Sequence, residues 1–131
     1  MTEQQIKRIA VIGAGTMGGG IAVSLLQAGL QVELCDPSPD ALGRAAKRAA
    51  SRAGEEAGQR LRTHSSLREA VEEADLVIEA VPEQLELKRD IFTRLDEHAP
   101  AHALLASNTS ELSITVLAGA TKRPEQVIGM H

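Results

Sequence analysis

Aromatic side chains are nearly absent from this 131-residue sequence, which has one Phe and neither Trp nor Tyr. Single-stranded nucleic acids are usually held by bases that stack on aromatic rings, so that class of ligand is not expected. The hydrophobic residues, 43% of the chain, are mostly aliphatic, which suits helices packed tightly on a buried sheet. A chain of this length is expected to form one domain.

Cysteine, net positive charge and targeting segments are also lacking. Cys35 is the only cysteine, so no internal disulfide forms, and a small buried thiol fits a reducing compartment. The net charge of −4 disfavours binding to nucleic-acid phosphates. The N-terminal residues resemble neither a signal peptide nor a transit peptide, and no apolar run is long enough to span a membrane. These absences predict a cytoplasmic protein without nucleic-acid or membrane partners.

Apolar runs alternate with helical patterns along the whole chain. The predicted strands are 8–13, 31–36, a short one around Leu61, 75–82, ALLASN and the final QVIGMH. The predicted helices are 16–28, one that begins at Ser38-Pro39 and ends near Gly54, a short one after the capping box Ser66–Glu69, 84–98 and ELSITVLA. The EEAGQ segment is expected to be a loop, and Leu87, Ile91 and Leu95 to share a buried helix face. Strand–helix alternation requires right-handed crossovers, which predicts an α/β fold with a doubly wound, mostly parallel, Rossmann-type sheet.

Five of the eight residues from Gly13 to Gly20 are glycine. Gly13, Gly15 and Gly18 form the spacing G-x-G-x-x-G directly after a predicted strand and at the start of a helix. In a dinucleotide site the first permits a tight turn, the second lets the backbone approach a pyrophosphate and the third lets the helix pack closely on the sheet. Gly19 and Gly20 are explained only as small residues that allow a close helix–sheet or helix–cofactor contact. The predicted cofactor-binding residues of the turn are Gly13, Ala14, Gly15, Thr16, Met17 and Gly18.

An acidic residue follows the second predicted strand. Asp36 lies about 20 residues after the glycine turn, where a carboxylate binds the ribose hydroxyls of the adenosine half of a dinucleotide. A turn or capping role before Pro37 is the alternative. No basic residue directly follows Asp36, and its charge would repel a 2′-phosphate, so NAD is favoured over NADP. Because no Gly-Lys-Ser/Thr follows the glycines, a Walker-type phosphate loop is excluded.

Four stretches, in this order, resemble the NAD-binding domain of the L-3-hydroxyacyl-CoA dehydrogenases: VIGAGTMGGGIA, DLVIEAVPEQLELKRDIF, LLASNTSELSIT and RPEQVIGMH. Members of that family oxidise the 3-hydroxyl of an acyl thioester and pass a hydride to NAD. Their cofactor domain precedes a helical domain that completes the substrate site and the homodimer. The resemblance therefore implies an NAD-binding domain over residues 1–131, truncated before the substrate and dimerisation domain and inactive by itself.

The resemblance also implies roles for individual residues. Glu83 and Lys88 match an acid and a lysine that contact the cofactor. Asn108 is a candidate for orienting the nicotinamide end, and Ser110 matches a serine that contacts the cofactor and the substrate oxygen. His131 matches the catalytic histidine. A neutral imidazole accepts a proton near neutral pH, and a serine hydroxyl both donates and accepts, so both suit oxidation of an alcohol.

These residues also have simpler interpretations. Ser110 would cap the following helix, Glu83 would favour a helix N-terminus, and Lys88 would lie on a solvated helix face. Surface positions are expected for the other histidines, His64, His98 and His102. The basic residues of the second helix are expected to be solvated or to meet a CoA phosphate: Arg44, Lys47, Arg48 and Arg52.

The connection between Asp36 and Asp75 is shorter than the CoA-contacting helical arm of the fatty-acid-oxidising members. The predicted function is the NAD-binding domain of an oxidoreductase that acts on a 3-hydroxyacyl-CoA, and two alternatives stay open. One is a dehydrogenase of a free or carrier-protein-bound 3-hydroxy acid, similar to the carnitine and gulonate 3-dehydrogenases. The other is a non-catalytic NAD-binding module. No metal site is expected.

Overall fold

The computed structural model describes residues 5–130, in which helices cover both faces of a six-stranded parallel sheet. The strands are β1 Arg8–Ile12, β2 Gln31–Cys35, β3 Leu61–His64, β4 Leu76–Glu79, β5 Leu104–Ser107 and β6 Val127–Gly129. The helices are α1 Thr16–Gln27, α2 Pro39–Ala53, α3 Glu55–Gly58, α4 Leu67–Val71, α5 Leu85–His98 and α6 Glu111–Gly119, with a 3-10 turn at Pro124–Gln126.

The strand order in the sheet is β3-β2-β1-β4-β5-β6, and the five pairings between neighbours are parallel. The chain builds outward from β1 in one direction and then returns to build outward from β4 in the other. In such sheets the connections diverge at this switch point and open a crevice at the carboxyl ends of the strands. The predicted doubly wound parallel fold is confirmed.

The sheet separates two apolar clusters. On β1, Ile9 and Val11 pack with α1 and α2, whereas Ala10 and Ile12 pack with α4, α5 and α6. None of these four residues is more than 4% exposed. Phe92, the only aromatic residue, is fully buried in the second cluster. Because both faces are covered, the central strands are continuous apolar runs rather than alternating ones.

Serine side chains begin two of the helices as the sequence predicts. The Ser38 hydroxyl accepts a hydrogen bond from the N–H of Ala41 at 3.2 Å, and Pro39 occupies the first helical position. The Ser66 hydroxyl accepts one from the N–H of Glu69 at 3.3 Å. Each oxygen satisfies a backbone donor that has no partner within its helix.

The loop predicted for EEAGQ is wrong, because Glu55–Gly58 forms the short helix α3. Gly54, with φ +96°, ends α2 and redirects the chain. An added Cβ atom on Gly58 would lie 3.3 Å from the Cα atom of Ala50, so α3 packs closely on α2. Acidic residues in its first turn interact favourably with the helix N-terminus. The loop predicted from composition did not include this contribution.

The predicted buried face of α5 is partly wrong. Ile91 and Leu95 are buried as expected, but Leu87 is 37% exposed. The buried face instead runs through Lys88, Ile91, Phe92 and Leu95. The helix is therefore rotated relative to the expected orientation, which brings a charged side chain into the interior.

Candidate functional site

The turn between β1 and α1 contains two glycines whose hydrogen atoms face neighbouring backbone. Gly13 has φ +108°, and a Cβ atom there would lie 2.7 Å from the carbonyl oxygen of Ala80. A Cβ atom on Gly18 would lie 1.7 Å from the carbonyl oxygen of Gly13. The tight turn predicted at Gly13 is confirmed. Gly18 does permit close packing, but against the turn itself rather than against a strand.

Gly15 differs from both, because the space beside it is open. Its backbone is extended, and an added Cβ atom would meet no atom of the described residues within 4 Å. Among the described residues no side chain caps the N-terminus of α1, and its first turn holds no acidic residue. Serines cap α2, α4 and α6, and the uncapped helices α3 and α5 have acidic residues in their first turns. An uncapped helix N-terminus beside accessible backbone suits an anionic group such as a diphosphate.

Asp36, the residue after β2, is joined to the glycine turn. Its Oδ2 atom accepts a hydrogen bond from the backbone N–H of Ala14 at 2.8 Å, and Oδ1 accepts one from the N–H of Ser38 at 2.9 Å. Asp36 therefore has the turn role given above as the alternative. It also lies at the carboxyl end of β2, and its oxygens retain lone pairs that ribose hydroxyls could use.

Two open pockets flank the glycine turn, each of about 360 Å³. The β4–β5 pocket lies between the turn and the carboxyl ends of β4 and β5, where Met17, Lys88 and Asn108 contribute to its lining. The β2 pocket lies between the turn, the end of β2 and α5, and is lined in part by Asp36 and Leu87. A dinucleotide has two nucleoside halves joined by a diphosphate, and this arrangement matches that shape.

A buried ion pair contributes to the lining of the β4–β5 pocket. The Nζ atom of Lys88 lies 3.2 Å from Oε1 of Glu79, and the side chains are 2% and 0% exposed. Glu79, the last residue of β4, also accepts hydrogen bonds from the Ser107 hydroxyl and, at 2.8 Å, from the N–H of Val81. The solvated position given as the alternative for Lys88 is wrong, since its ammonium is buried against the countercharge that burial requires.

Glu83 extends this ion pair to the surface. Its Oε1 atom accepts a hydrogen bond from the Thr109 hydroxyl at 2.7 Å, and its Oε2 accepts one from Lys88 Nζ at 3.3 Å. The hydrogen bond from Thr109, and then the bond and charge of Lys88, lower the pKa of Glu83 despite the opposing effect of burial. The Glu83 side chain is 66% exposed, so it remains accessible to a ligand in the pocket.

The segment after β5 carries two further predicted residues. Asn108 lines the β4–β5 pocket, and its Nδ2 atom lies 3.1 Å from Sδ of Met17. The Ser110 hydroxyl accepts a hydrogen bond from the N–H of Ser113 at 3.3 Å, which confirms that it caps α6. Ser110 is exposed, so its oxygen also remains accessible to a ligand. The predicted catalytic His131 lies outside the described residues.

Three residues of the site were not predicted from the sequence: Glu79, Ser107 and Thr109. The signal in the sequence is an acidic residue at the end of the apolar run LVIE. In the structure all four residues of this strand, β4, are buried. A buried carboxylate is costly unless it is paired and hydrogen-bonded. A glutamate in such a strand therefore predicts polar partners on neighbouring elements, but the sequence alone does not say which.

The surface position expected for His64 is wrong. Its Nε2 atom lies 3.0 Å from Oε1 of Glu33, and the two side chains are 18% and 12% exposed. The cause is strand pairing: Glu33 on β2 lies opposite Arg62 on β3, and His64, two residues further along, shares the same face. His98 and His102 are partly exposed, with side chains 33% and 46% accessible.

Arg48 explains one of the extra glycines. Its Nη1 atom donates a hydrogen bond to the carbonyl oxygen of Thr16 at 3.2 Å, and a Cβ atom on Gly19 would lie 2.8 Å from the same nitrogen. Gly19 therefore leaves room for the guanidinium of Arg48, the flexible end of a side chain on α2, whereas a Cβ atom on Gly20 would meet nothing within 4 Å. The other basic residues of α2 are exposed as expected: Arg44, Lys47 and Arg52.

The doubly wound sheet, the glycine turn, Asp36 and the paired pockets define the class, a dinucleotide-binding α/β domain. Within residues 5–130 no group of three His, Cys, Asp or Glu side chains is placed to hold a metal ion, and no helix has the length and hydrophobicity to cross a membrane. The family described as 3-hydroxyacyl-CoA dehydrogenase, NAD binding domain, matches residues 8–131. The chain belongs to this family, and its cofactor is NAD.

Comparison with individual proteins agrees with this assignment. A probable 3-hydroxybutyryl-CoA dehydrogenase of Bacillus subtilis (strain 168) is 40% identical, over 97% of this chain and 48% of its own length. The mitochondrial hydroxyacyl-coenzyme A dehydrogenase of Mus musculus is 38% identical, over 96% and 46%. The crystal structure of 3-hydroxybutyryl-CoA dehydrogenase from Escherichia coli K12 has a TM-score of 0.91 at 40% identity, covering 98% of this chain and 30% of that one. The chain thus spans about half the length of the two curated relatives.

Proposed function

We propose that this chain is the NAD-binding part of an enzyme that oxidises a 3-hydroxyacyl-CoA thioester to the 3-oxoacyl form, or catalyses the reverse reaction. The main support is the pair of pockets on either side of the glycine turn, in a chain whose relatives are named as dehydrogenases of such thioesters. Bound NAD supplies the acceptor for the hydride that leaves the substrate carbon.

The cofactor residues divide between the two pockets in this proposal. Asp36 accepts the adenosine ribose hydroxyls in the β2 pocket, and the backbone around Gly15 with the first N–H groups of α1 holds the diphosphate. The nicotinamide half enters the β4–β5 pocket, among Lys88, Glu83 and Asn108. The Lys88 ammonium has three N–H donors and contacts two carboxylates, which leaves one donor for a ribose hydroxyl.

Two residues, Ser110 and His131, are proposed to act on the substrate. Alcohol oxidation releases the hydroxyl proton, and a neutral imidazole at His131 would accept it near neutral pH. The Ser110 hydroxyl would hold the same oxygen. Ser110 follows β5 closely, and ligands of doubly wound sheets bind outside the carboxyl ends of the strands.

Titration of this 131-residue chain with NADH tests the cofactor part of the proposal. We expect saturable quenching or enhancement of NADH fluorescence, and little or no turnover by the chain alone. Absence of saturation up to millimolar NADH would overturn the proposal. The circular dichroism spectrum is measured in the same buffer, and only protein with a native spectrum is used in the titration.

The substrate is tested with the longest natural form of the protein. NAD reduction is expected to be faster with 3-hydroxybutyryl-CoA than with the carrier-protein thioester, free 3-hydroxybutyrate or carnitine. Faster reduction with a free acid would support the alternative dehydrogenase. A His131→Ala variant that keeps full function would support the non-catalytic module. Light scattering of the same protein tests the predicted homodimer formed through a further domain.

A further inference from the structure

Three charged side chains adjoin the β4–β5 pocket and are here named the charge cluster: Glu79, Lys88 and Glu83. Lys88 contacts both carboxylates, at 3.2 Å from Oε1 of Glu79 and 3.3 Å from Oε2 of Glu83. Two carboxylates and one ammonium leave the charge cluster with a formal charge of −1. The cluster is therefore not a neutral ion pair, and its excess charge faces whatever occupies the pocket.

Glu79 is the most firmly held member of the charge cluster. It lies at the end of β4, opposite Ile12 on β1 and Ser107 on β5, in the centre of the sheet. Its carboxylate receives the N–H of Val81, the hydroxyl of Ser107 and the ammonium of Lys88. A carboxylate is an acceptor only, so these three donors on different elements determine where its charge lies.

Lys88 depends on this fixed carboxylate. The lysine side chain is 2% exposed, whereas Glu83, its other partner, is 66% exposed. An ion pair with a solvated carboxylate is weak and mobile, but one with a buried, hydrogen-bonded carboxylate has a defined geometry. Without the countercharge of Glu79, only the exposed carboxylate of Glu83 would hold the ammonium beside the pocket.

We propose that Glu79 is a positioning residue of the cofactor site, which holds the Lys88 ammonium beside the β4–β5 pocket and, through the net negative charge of the cluster, favours oxidised over reduced nicotinamide. This inference rests on the proposed function, which puts the nicotinamide half in that pocket. The oxidised ring carries a positive charge and the reduced ring carries none, so only the oxidised ring is attracted as a cation.

The test compares the affinities of both cofactor forms in wild-type chain and in Glu79→Gln, which preserves side-chain size and removes one charge. Dissociation constants for NAD⁺ and NADH are measured by calorimetry at one pH and ionic strength. We expect the ratio of the NADH constant to the NAD⁺ constant to fall about three- to tenfold, the scale of one charge across a partly screened site. The matched control is Glu33→Gln, which removes a mostly buried carboxylate that pairs with His64 away from the pocket, and the ratio is expected to stay unchanged.

A merely structural role for Glu79 predicts a different result. If folded Glu79→Gln weakens both cofactor forms by the same factor, or alters neither, the inference is overturned while the proposed function stands. If wild-type chain binds neither form, the proposed function fails and this inference fails with it. Should Glu79→Gln not fold, Glu83→Gln removes the same charge from the exposed end of the cluster. An unchanged ratio in that variant overturns the inference, and a lowered ratio supports it.

Discussion

The Oδ2 atom of Asp36 lies 2.8 Å from the backbone nitrogen of Ala14, so one carboxylate holds the end of β2 against the glycine turn. The other oxygen of the same carboxylate holds the first residues before α2 through the N–H of Ser38. Asp36 thus connects the expected adenosine site to the expected diphosphate site. The shape of the turn and the binding of the cofactor are therefore expected to change together when Asp36 is altered.

Replacing Asp36 by asparagine is expected to raise the dissociation constant for NADH about tenfold or more, because hydrogen bonds to a charged group contribute about 1.5–3 kcal/mol. NADH fluorescence titration measures the change. Asp40→Asn is the matched control, since Asp40 is an exposed carboxylate in the first turn of α2. Equal NADH affinity in Asp36→Asn and wild type would show that the carboxylate has only the turn role.

Alanine at Gly18 and at Gly20 is expected to have opposite effects on stability. A Cβ atom at Gly18 would collide with the backbone carbonyl of Gly13, whereas one at Gly20 would meet nothing within 4 Å. We expect Gly18→Ala to lose about 3 kcal/mol or more of unfolding free energy, and Gly20→Ala to gain about 0.5–1 kcal/mol from helix propensity. Urea denaturation followed by circular dichroism measures both, and loss of stability in Gly20→Ala would contradict the structure of α1.

Alanine at Gly15 is expected to separate folding from binding. The added methyl group enters open space and the backbone is extended rather than left-handed, so the unfolding free energy should fall by only about 0.5–1 kcal/mol, the difference between Gly and Ala at an N-cap. The same methyl group would occupy the approach to the turn, and we expect NADH binding to weaken at least about tenfold. Gly20→Ala, within the helix that Gly15 precedes, is the control for binding. Unimpaired NADH binding by Gly15→Ala would argue against a diphosphate at this turn.

Asp75 is expected to make stability depend on pH in acid. Burial alone would raise the pKa of Asp75, but hydrogen bonds from the N–H of Lys7, the His102 ring and the N–H of Arg8 together lower it below the ordinary 3.8. A lowered folded-state pKa stabilises the protein above pH 3.8, and this contribution is lost as the pH falls through the folded-state value. We therefore expect Asp75→Asn to cost about 1–3 kcal/mol near neutral pH and progressively less below pH 3.8.

Urea denaturation of Asp75→Asn and wild type at several pH values between neutral and strongly acidic measures this convergence. Glu72→Gln serves as the control, because Glu72 is an exposed carboxylate just after α4. Its stability curve should run parallel to that of wild type. A constant difference between Asp75→Asn and wild type over the whole range would mean that the proton linkage lies elsewhere.

Cys35 is expected to be unreactive in the folded protein. Burial, and then the negative charge of Asp36, raise the pKa of the Cys35 thiol to about 11. The thiolate is the reactive form, so Ellman's reagent should label the native chain very slowly at pH 8 and label the unfolded chain rapidly and completely. Complete labelling of native protein within the mixing time would be incompatible with the buried position of Cys35.

Much of the fold was predictable from local sequence. A residue such as Gly13 determines the backbone conformation of its own turn, and Ser38 and Ser66 satisfy donors only three residues away. The alternation of strands and helices is also local, and it restricts the sheet to a parallel, doubly wound topology. Element boundaries and the glycine turn therefore agree with expectation over most of the described chain.

The orientation of α5 shows where local pattern fails. Leu87, Ile91 and Leu95 form a regular apolar spacing, yet Lys88 is buried and Leu87 borders the β2 pocket. Periodicity ranks side chains by their own hydrophobicity. It takes no account of Glu79, whose charge on a neighbouring strand makes the burial of a lysine favourable.

The fold class, the glycine turn and the acid at the end of β2 follow from the amino-acid sequence, because each depends on backbone preferences or on spacings along the chain. Which charges meet depends on how the elements pack in three dimensions. Glu79 comes from β4, Lys88 from α5 and Ser107 from β5, and their contacts exist because the parallel sheet brings these three elements to one edge. Interactions between buried charges depend on distance and on exclusion of water, and packing alone sets both.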